Sequence, residues 1–585
     1  MFVGVMCVFI ALTLFLGWYG YKNTKSKDSF LLGRNKSNPI LIGLAYGATF
    51  LSTSAIVGFG GMAARYGMMM IWLVFLNLFA GLMIAFIVFG KRTRRLNVKL
   101  GALTFADFLG KRFKSPFIRV LTAIIVLVGM PIYCAAVLLG GVNFLVATDI
   151  GITKDMAILL ISVVVLVYVA YGGIIAVMYN DALQAGIMFI GMAVILVVTY
   201  FVLSKDYGSF SGIHEALTDL WQNRGGAYDP AAIPDNVQGV RGWNIFPEFA
   251  SNAWIYGVST LLMGVGIGAL AQPQLAARFM TAKDSKTLNR SMIVGAVFIL
   301  MIVGTAYTVG ALTNLYFADN GFSNAMDAVG WNVDKVIPEF VNKIFGGMGA
   351  WGEMFVIIFI LGLLCAAIST IGALLHTMGA SAGHDLWSEA ERKFKRIEVK
   401  KPSLTITRIA TVAMMVVVIL LAYLMPPSII AKATSVFMGL TAAALLPAYT
   451  YAVYAKAEPN TSAAKLSMVV GSIVWLVWAL FVNVSIGGMI GTPIIASGQL
   501  VYVDPLIVAL PISAAIMIIG ALKGRPKRPW DESLRRYETV WTVRSEKQFR
   551  GLKDRENRWP EHRMRAADAP SEGTAADHGS NGRMS

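Results

Sequence analysis

Thirteen apolar runs, each about the 20 residues a helix needs to cross a hydrocarbon core, set the terms for this chain. They lie near 1–20, 38–64, 70–90, 118–147, 156–178, 184–203, 252–275, 291–316, 352–380, 405–425, 428–453, 465–485 and 501–522. Lipid satisfies no backbone amide or carbonyl, so runs of this length predict helices. Composition excludes the soluble alternative. Hydrophobic residues make up 56% of the 585 and charged residues 14%, where about 25% charged is usual for a soluble chain, and mean hydropathy is +0.65. An all-α polytopic membrane protein is expected. Cys7, Cys134 and Cys365 each fall inside a run, so the sequence offers no disulfide framework and no zinc spacing.

The net charge of +17 invites a nucleic-acid reading, which the placement of the charges argues against. With the N-terminus outside, 42 of the 50 Lys and Arg fall in the inner loops (21–37, 91–119, 179–183, 276–290, 382–408, 454–465) and the tail from Lys523, leaving 8 on the other face. Cytoplasmic loops collect Lys and Arg, so the expected topology is N-terminus outside and C-terminus cytoplasmic, in a plasma (inner) membrane. The basic stretches then face anionic headgroups, and no nucleic acid is expected as a partner. The first run starts at Met1 with no basic segment ahead of it and no small-residue cleavage site, which predicts a retained anchor. The tail 524–565 mixes Trp530, Tyr537, Trp541 and Trp559 with basic residues, as an interfacial segment does. The last 20 residues lack the apolar content to fold.

Three runs depart from plain Leu/Ile/Val packing. The second, LIGLAYGATFLSTSAIVGFGGMAARYG, carries a hydroxyl cluster (Thr49, Ser52, Thr53, Ser54) followed by Gly58, Gly60 and Gly61. The seventh, SNAWIYGVSTLLMGVGIGALAQPQ, holds Gly257, Gly264, Gly266, Gly268 and Pro273. Small residues also serve close helix packing. Gly-interrupted helices in corresponding positions of two halves instead point to a transporter's central site. Runs two and seven lie five apart, so a five-helix unit repeats as 38–203 and 252–453, and an odd number inverts the second copy. The ninth run, EMFVIIFILGLLCAAISTIGALLHTMGASAGHDLW, places Ser369 and Thr370 mid-membrane. Such hydroxyls either bond their own helix carbonyls or, with carbonyls from a broken neighbour, form an uncharged cage for a small hard cation. His376 reads as a satisfied interior histidine.

Five stretches in order resemble the sodium:solute symporter family: DSFLLGRNKSNP at 28–39, TFADFLGKRF at 104–113, YGGIIAVMYNDALQ at 171–184, AQPQLAARFMTAKDSKTLNR at 271–290, and the Ala366-Ala367-Ile368-Ser369-Thr370 helix ending at Asp385. The resemblance implies a LeuT-type 5+5 inverted-repeat core with one flanking helix before it and two after. The chain then divides into 1–37, a core 38–455, flanking helices 456–523 and a basic tail 524–585. The resemblance also implies Na⁺-coupled import of a small solute by alternating access. It places a sodium site on the carbonyls of Ala48, Leu51 and Ala366 and the hydroxyls of Ser369 and Thr370. Asp181 matches an acid that assists ion release. Two departures stand out: Asn180 replaces the Thr that precedes this acid, and Phe50 stands where proline-type members carry a carboxylate.

No Asp, Glu, Lys or Arg falls at mid-depth in the core runs. The nearest, Arg65, Asp181, Glu353 and Lys432, sit near run ends. A cationic solute is therefore disfavoured, and Phe50, Phe59, Met62, Met263 and Ile267 disfavour a sugar. The solute expected is a small monocarboxylate offset by Na⁺ and by a half-helix N-terminus, with pantothenate or an apolar amino acid next. Thr49, Phe50, Ser52, Thr53, Ser54, Trp254, Gly264 and Gly266 are the candidate solute contacts. The five histidines form no catalytic or metal constellation, so an enzyme is not expected, nor is an organic cofactor. A transporter-like sensor would need a partner, since the tail has only about 60 residues.

Overall fold

The computed structural model describes residues 2–523 apart from 25, 34–36, 148–150, 347, 396–403, 427–428 and 457. One compact unit takes in Met1–Ala455 and Pro459–Arg525. A second, Lys456–Glu458 and Pro526–Ser585, falls almost wholly outside the described residues, and so do the readings of the tail.

Every apolar run becomes helix. Span one is Phe2–Asn23 and span two begins at Pro39–Phe50. Spans four, eight and nine are Pro116–Ala147, Ser285–Asp319 and Gly349–Ala380. Spans ten to thirteen are Leu404–Leu424, Ile430–Tyr454, Thr461–Phe481 and Pro505–Leu522. Among the described residues only one isolated bridge, Ser37 with Ala282, has strand geometry. Asn38 caps span two by accepting the Leu41 N–H at 2.8 Å, with Pro39 at the first helical position, where a missing N–H costs nothing.

Spans five and six correct the sequence reading. The loop expected at 179–183 is helical. One helical element, Lys154–Tyr207, runs through both spans and turns only at Gly173, whose φ is 59°. Glycine adopts this conformation without a Cβ clash. A Cβ there would also lie 2.7 Å from the Phe30 carbonyl oxygen and 2.6 Å from the Phe30 ring. The turn thus sits eight residues before Asp181, which becomes an interior helix residue instead of one at a span end. Span one lies against this element through Gly17 and Gly20, whose absent Cβ atoms would fall 2.7 Å from Tyr168 Cβ and 2.5 Å from Ala176 Cβ. Backbones approach this closely in a membrane only over small residues.

Two spans are broken. Span two opens after Phe50: Leu51 is extended (φ −100°, ψ 101°), and the chain resumes as a π-helical turn, Ser54–Gly58, and then Phe59–Tyr66. Span seven runs as Asn252–Tyr256, a π-helical stretch Gly257–Met263, and Gly264–Gly268. It then breaks at extended Gln272 before a helix over Pro273–Met280. Gln272 Nε2 donates back to Gly268 O at 2.9 Å and across to Thr441 Oγ1 of span eleven at 2.6 Å.

Gly173→Ala should destabilise the fold by about 1–3 kcal/mol, from strain at positive φ with overpacking against Phe30. Gly186→Ala, where a Cβ meets nothing within 4 Å, should leave thermal unfolding in detergent unchanged. Equal melting of the two variants would show that the turn tolerates a side chain.

Candidate functional site

The opening in span two leaves the end of its first half without the next turn of helix. Span nine supplies the partners. Ser369 Oγ donates to Ala48 O at 3.1 Å and to Ala366 O at 3.3 Å, and Thr370 Oγ1 donates to Ala48 O at 3.2 Å. Both side chains are fully buried. Behind them Tyr168 OH donates to Ile368 O at 2.9 Å, holding span nine at the level of the pair. Hydrogen bonds thus link four of the five expected sodium ligands, Ser369 to Ala48 and Ala366 and Thr370 to Ala48. The fifth, Leu51, is the extended residue at the opening itself. The set carries no formal charge and offers only oxygen, the donor type that small hard cations prefer.

Thr49 belongs to a second arrangement. Its Oγ1 donates to Asp181 Oδ2 at 3.2 Å and accepts from Arg278 Nη2 at 2.8 Å, while Arg278 Nη2 also meets Asp181 Oδ2 at 2.7 Å. Asp181 is fully buried and Arg278 is 1% exposed. This corrects the expectation of a core without charge and of Arg278 as a residue of the inner loop 276–290. Arg278 rides on the short helix after the span-seven break, which returns it toward span two. A buried pair of this kind costs desolvation that only close geometry offsets. Asp181 Oδ1 and Arg278 Nε and Nη1 have no hydrogen-bond partner among the described residues.

Past the opening lies a narrow crevice of about 10 Å³, room for about one water molecule. Phe50, Phe59, Val265 and Met438 form its apolar wall, and Ser52, Asn77, Tyr133, Tyr307 and Thr434 its neutral polar one. Tyr133 OH donates to Ser52 Oγ at 3.1 Å. Of the candidate solute contacts, Phe50 and Ser52 line this space. Thr53 instead donates to Val137 O at 2.8 Å, and Ser54 is buried in the π-helical turn. Trp254 stacks edge-on with Phe249 at 4.9 Å near the start of span seven. Gly266 admits the Leu76 side chain, and Gly264 faces Asp504. Asn77, Tyr133, Tyr307 and Thr434 were missed, although an amide or phenol inside an apolar run is a signal. His376 behaves as expected: its Nε2 bonds Phe30 O at 3.0 Å.

A further charge network ties the basic-loop side together. Arg119 Nε meets Asp385 Oδ1 at 2.9 Å and Asp107 Oδ1 at 3.7 Å, and Lys27 Nζ bonds His384 Nδ1 at 2.5 Å. Burial alone would raise the Asp107 carboxyl. The His384 hydrogen bond and the charges of Lys111 and Arg119 overcome this and hold it well below the usual range. Burial and the Arg119 charge bring Lys27 down to about 8.

Two broken spans five apart, a cluster of oxygens at one break and a narrow crevice beside it define a secondary transporter of the inverted-repeat class. The chain matches the sodium:solute symporter family over residues 30–471, and it belongs to that family. Among its relatives, the sodium/proline symporter of Escherichia coli (strain K12) is 24% identical over 478 residues, covering 81% of this chain and 87% of that protein. The sodium/pantothenate symporter of Haemophilus influenzae is 26% identical over 453 residues, covering 76% and 84%. Among solved structures, a Na⁺-coupled sialic acid symporter in a substrate-bound outward-open state matches 90% of this chain and 98% of its own, with a TM-score of 0.68 at 16% identity. This likeness shows the LeuT-type fold.

Arg278→Ala should cost about 3–5 kcal/mol of stability, because it leaves Asp181 buried and unpaired. The double variant Asp181→Asn/Arg278→Gln should recover much of that. Single and double losses that simply add in thermal unfolding would show that the two side chains act independently.

Proposed function

We propose that the protein is a Na⁺-coupled symporter that imports a small organic solute by alternating access. The observation that carries this reading is the convergence of Ala48 O, Ala366 O, Ser369 Oγ and Thr370 Oγ1 at the span-two opening. In this reading Na⁺ replaces the protons by which both hydroxyls now hold Ala48 O, and Leu51 O joins the cage. Filling the cage fixes span nine to the first half of span two, so the ion favours one arrangement of the broken helices by its differential affinity for it. Asp181 lies one residue along, through Thr49. Its unpartnered Oδ1 offers the departing ion a carboxylate on the side of the basic loops, while Arg278 keeps that carboxylate from trapping the ion. The basic-loop face is the cytoplasmic one, with the N-terminus outside.

The solute reading rests on the crevice. Its lining is neutral, so a carboxylate bound there takes its countercharge from Na⁺, and Phe50, Phe59, Val265 and Met438 suit a short apolar body. A small monocarboxylate is the solute whose chemistry these walls match best, once they part to admit it. The sodium/proline and sodium/pantothenate relatives favour a second reading, an apolar amino acid or pantothenate, which the same neutral walls admit.

In proteoliposomes an inward Na⁺ gradient should drive uptake and K⁺ should not replace it. Ser369→Ala and Thr370→Ala should each raise the half-saturating Na⁺ concentration, by about 1–3 kcal/mol in cage affinity. Uptake driven equally by a proton gradient without Na⁺ would overturn the coupling. Asp181→Asn should slow turnover more than it weakens Na⁺ binding at equilibrium.

For the solute, a thermal-shift screen of organic acids, amino acids, sugars and vitamins should give stabilisation by mass action, larger in Na⁺ than in K⁺ and greatest for short carboxylates. Na⁺-linked shifts from sugars alone would overturn the reading of the walls.

A further inference from the structure

Span nine holds the helix Lys27–Leu32, which leads into span two, through two histidines. His376 Nε2 bonds Phe30 O at 3.0 Å. Further along, in the π-helical turn Ser381–Leu386, His384 Nδ1 bonds Lys27 Nζ at 2.5 Å. The two contacts differ in kind. The first joins a ring N–H to a carbonyl, and it stands whether or not the ring carries a second proton. The second joins nitrogen to nitrogen. Ammonium and imidazolium offer donors only, so this bond exists only while Lys27 or His384 keeps a lone pair.

The other ring nitrogen meets a cation too. Arg119, on span four, places Nη2 3.3 Å from His384 Nε2 and donates to His384 O at 3.0 Å. An imidazolium donates from both nitrogens, and here each faces a positively charged side chain. His384 is 6% exposed, so little water reaches the ring to accept in their place.

The charged groups around the ring come from each packed element. The loop helix brings Lys27 and Asp28, and the helix Phe105–Arg112 brings Asp107 and Lys111. Asp107 Oδ2 stands 3.9 Å from His384 Nε2 while taking Lys111 Nζ at 2.9 Å and the Leu103 N–H at 3.0 Å. Asp385 Oδ1 takes Arg119 Nε at 2.9 Å and Asp385 Oδ2 the Thr104 hydroxyl at 2.8 Å. Glu389 Oε1 meets Arg119 Nη1 at 3.3 Å. Span ten packs on this turn as well, and its Arg408 is directed instead to Tyr171 O at 3.4 Å.

We propose that the Lys27–His384 contact is a proton-operated latch: while one of the two nitrogens keeps its lone pair it ties the loop helix to span nine, and a proton taken up there opens it. That proton comes from water on the basic-loop side and leaves an ammonium against an imidazolium with no lone pair between them. The charged ring then has Asp107 Oδ2 to turn to, 3.9 Å from Nε2. His376 keeps its bond to Phe30, so the loop helix is freed at its start and held at its middle. The latch joins the same elements as the oxygen cluster. The loop helix continues into the half of span two that carries Ala48, and span nine carries Ser369 and Thr370. Acid on the basic-loop side therefore lets these elements part. Its effect on Na⁺ rests on the symport reading above, whereas the latch itself does not.

In the full-length protein, amide exchange at Phe30 and Gly33, both bonded within the loop helix and its cap, should be severalfold faster at about pH 6 than at about pH 8, after correction for the intrinsic rate. His384→Gln offers Lys27 an acceptor that does not titrate, so its exchange should stay at the slow, alkaline level at both pH values. Lys27→Met should exchange fast at both. Parent exchange that ignores pH, or a pH response that persists in His384→Gln, would overturn the latch. Should His384→Gln fail to fold, a pH response persisting in Lys27→Met would overturn it. In proteoliposomes with the basic-loop side inside and the outer pH fixed, internal Na⁺ should inhibit uptake only at severalfold higher concentration at internal pH about 6 than at about 8. In Lys27→Met it should inhibit equally at both. Inhibition that does not move with pH, beside exchange that does, would overturn the link between latch and ion. Loss of Na⁺ dependence in the parent protein would count against the symport reading alone.

Discussion

A helix opened inside a bilayer exposes amides and carbonyls that lipid cannot satisfy. Everything central in this structure answers that constraint. Span two stops at Leu51, and the carbonyl of Ala48 takes its bonds from two hydroxyls 321 and 322 residues away on span nine. Span seven stops at Gln272, whose own side chain closes back on Gly268 and bridges to span eleven. The breaks survive because protein surrounds them, and what they expose to the interior is oxygen. A polar cage is therefore the direct product of interrupting a helix where no water competes.

The second half of the answer is electrostatic. The span-seven break turns the chain so that Pro273–Met280 brings Arg278 back to Thr49 and Asp181. One hydroxyl, Thr49, stands between the charge pair and Ala48, so the uncharged cage and the charged pair are neighbours along a single half-helix. Movement of either broken helix must alter both. This is a contiguous physical connection between an uncharged cluster of oxygens and a paired acid, built from four helical elements.

The helices and the two interrupted spans were legible in the sequence because apolar length and glycine content are local signals. The cage was legible only through the resemblance, since nothing local joins Ala48 to Ser369. Asp181 and Arg278 were misplaced for a physical reason. Both sit where hydropathy falls, and falling hydropathy reads as a loop, while the real turn at Gly173 occurs where the sequence stays apolar. A single backbone angle at one glycine, not polarity, sets that boundary. The crevice residues Asn77, Tyr133 and Tyr307 come from three different spans, and only the packing brings them to one space.

The cancellation of Asp181 by Arg278 has an electrical consequence. With these two charges matched, the pair adds no net charge of its own to a rearrangement of the broken helices. Over a complete cycle the protein's own charges return to where they began, so the current carried per cycle is the charge of the cargo alone. Each uncompensated elementary charge moved across the membrane feels about 2.3 kcal/mol per 100 mV, so a monocarboxylate carried with one Na⁺ moves without regard to voltage, while a neutral solute carried with one Na⁺ is drawn inward by it. A reversal potential measured on this protein would therefore report ion-to-solute stoichiometry directly.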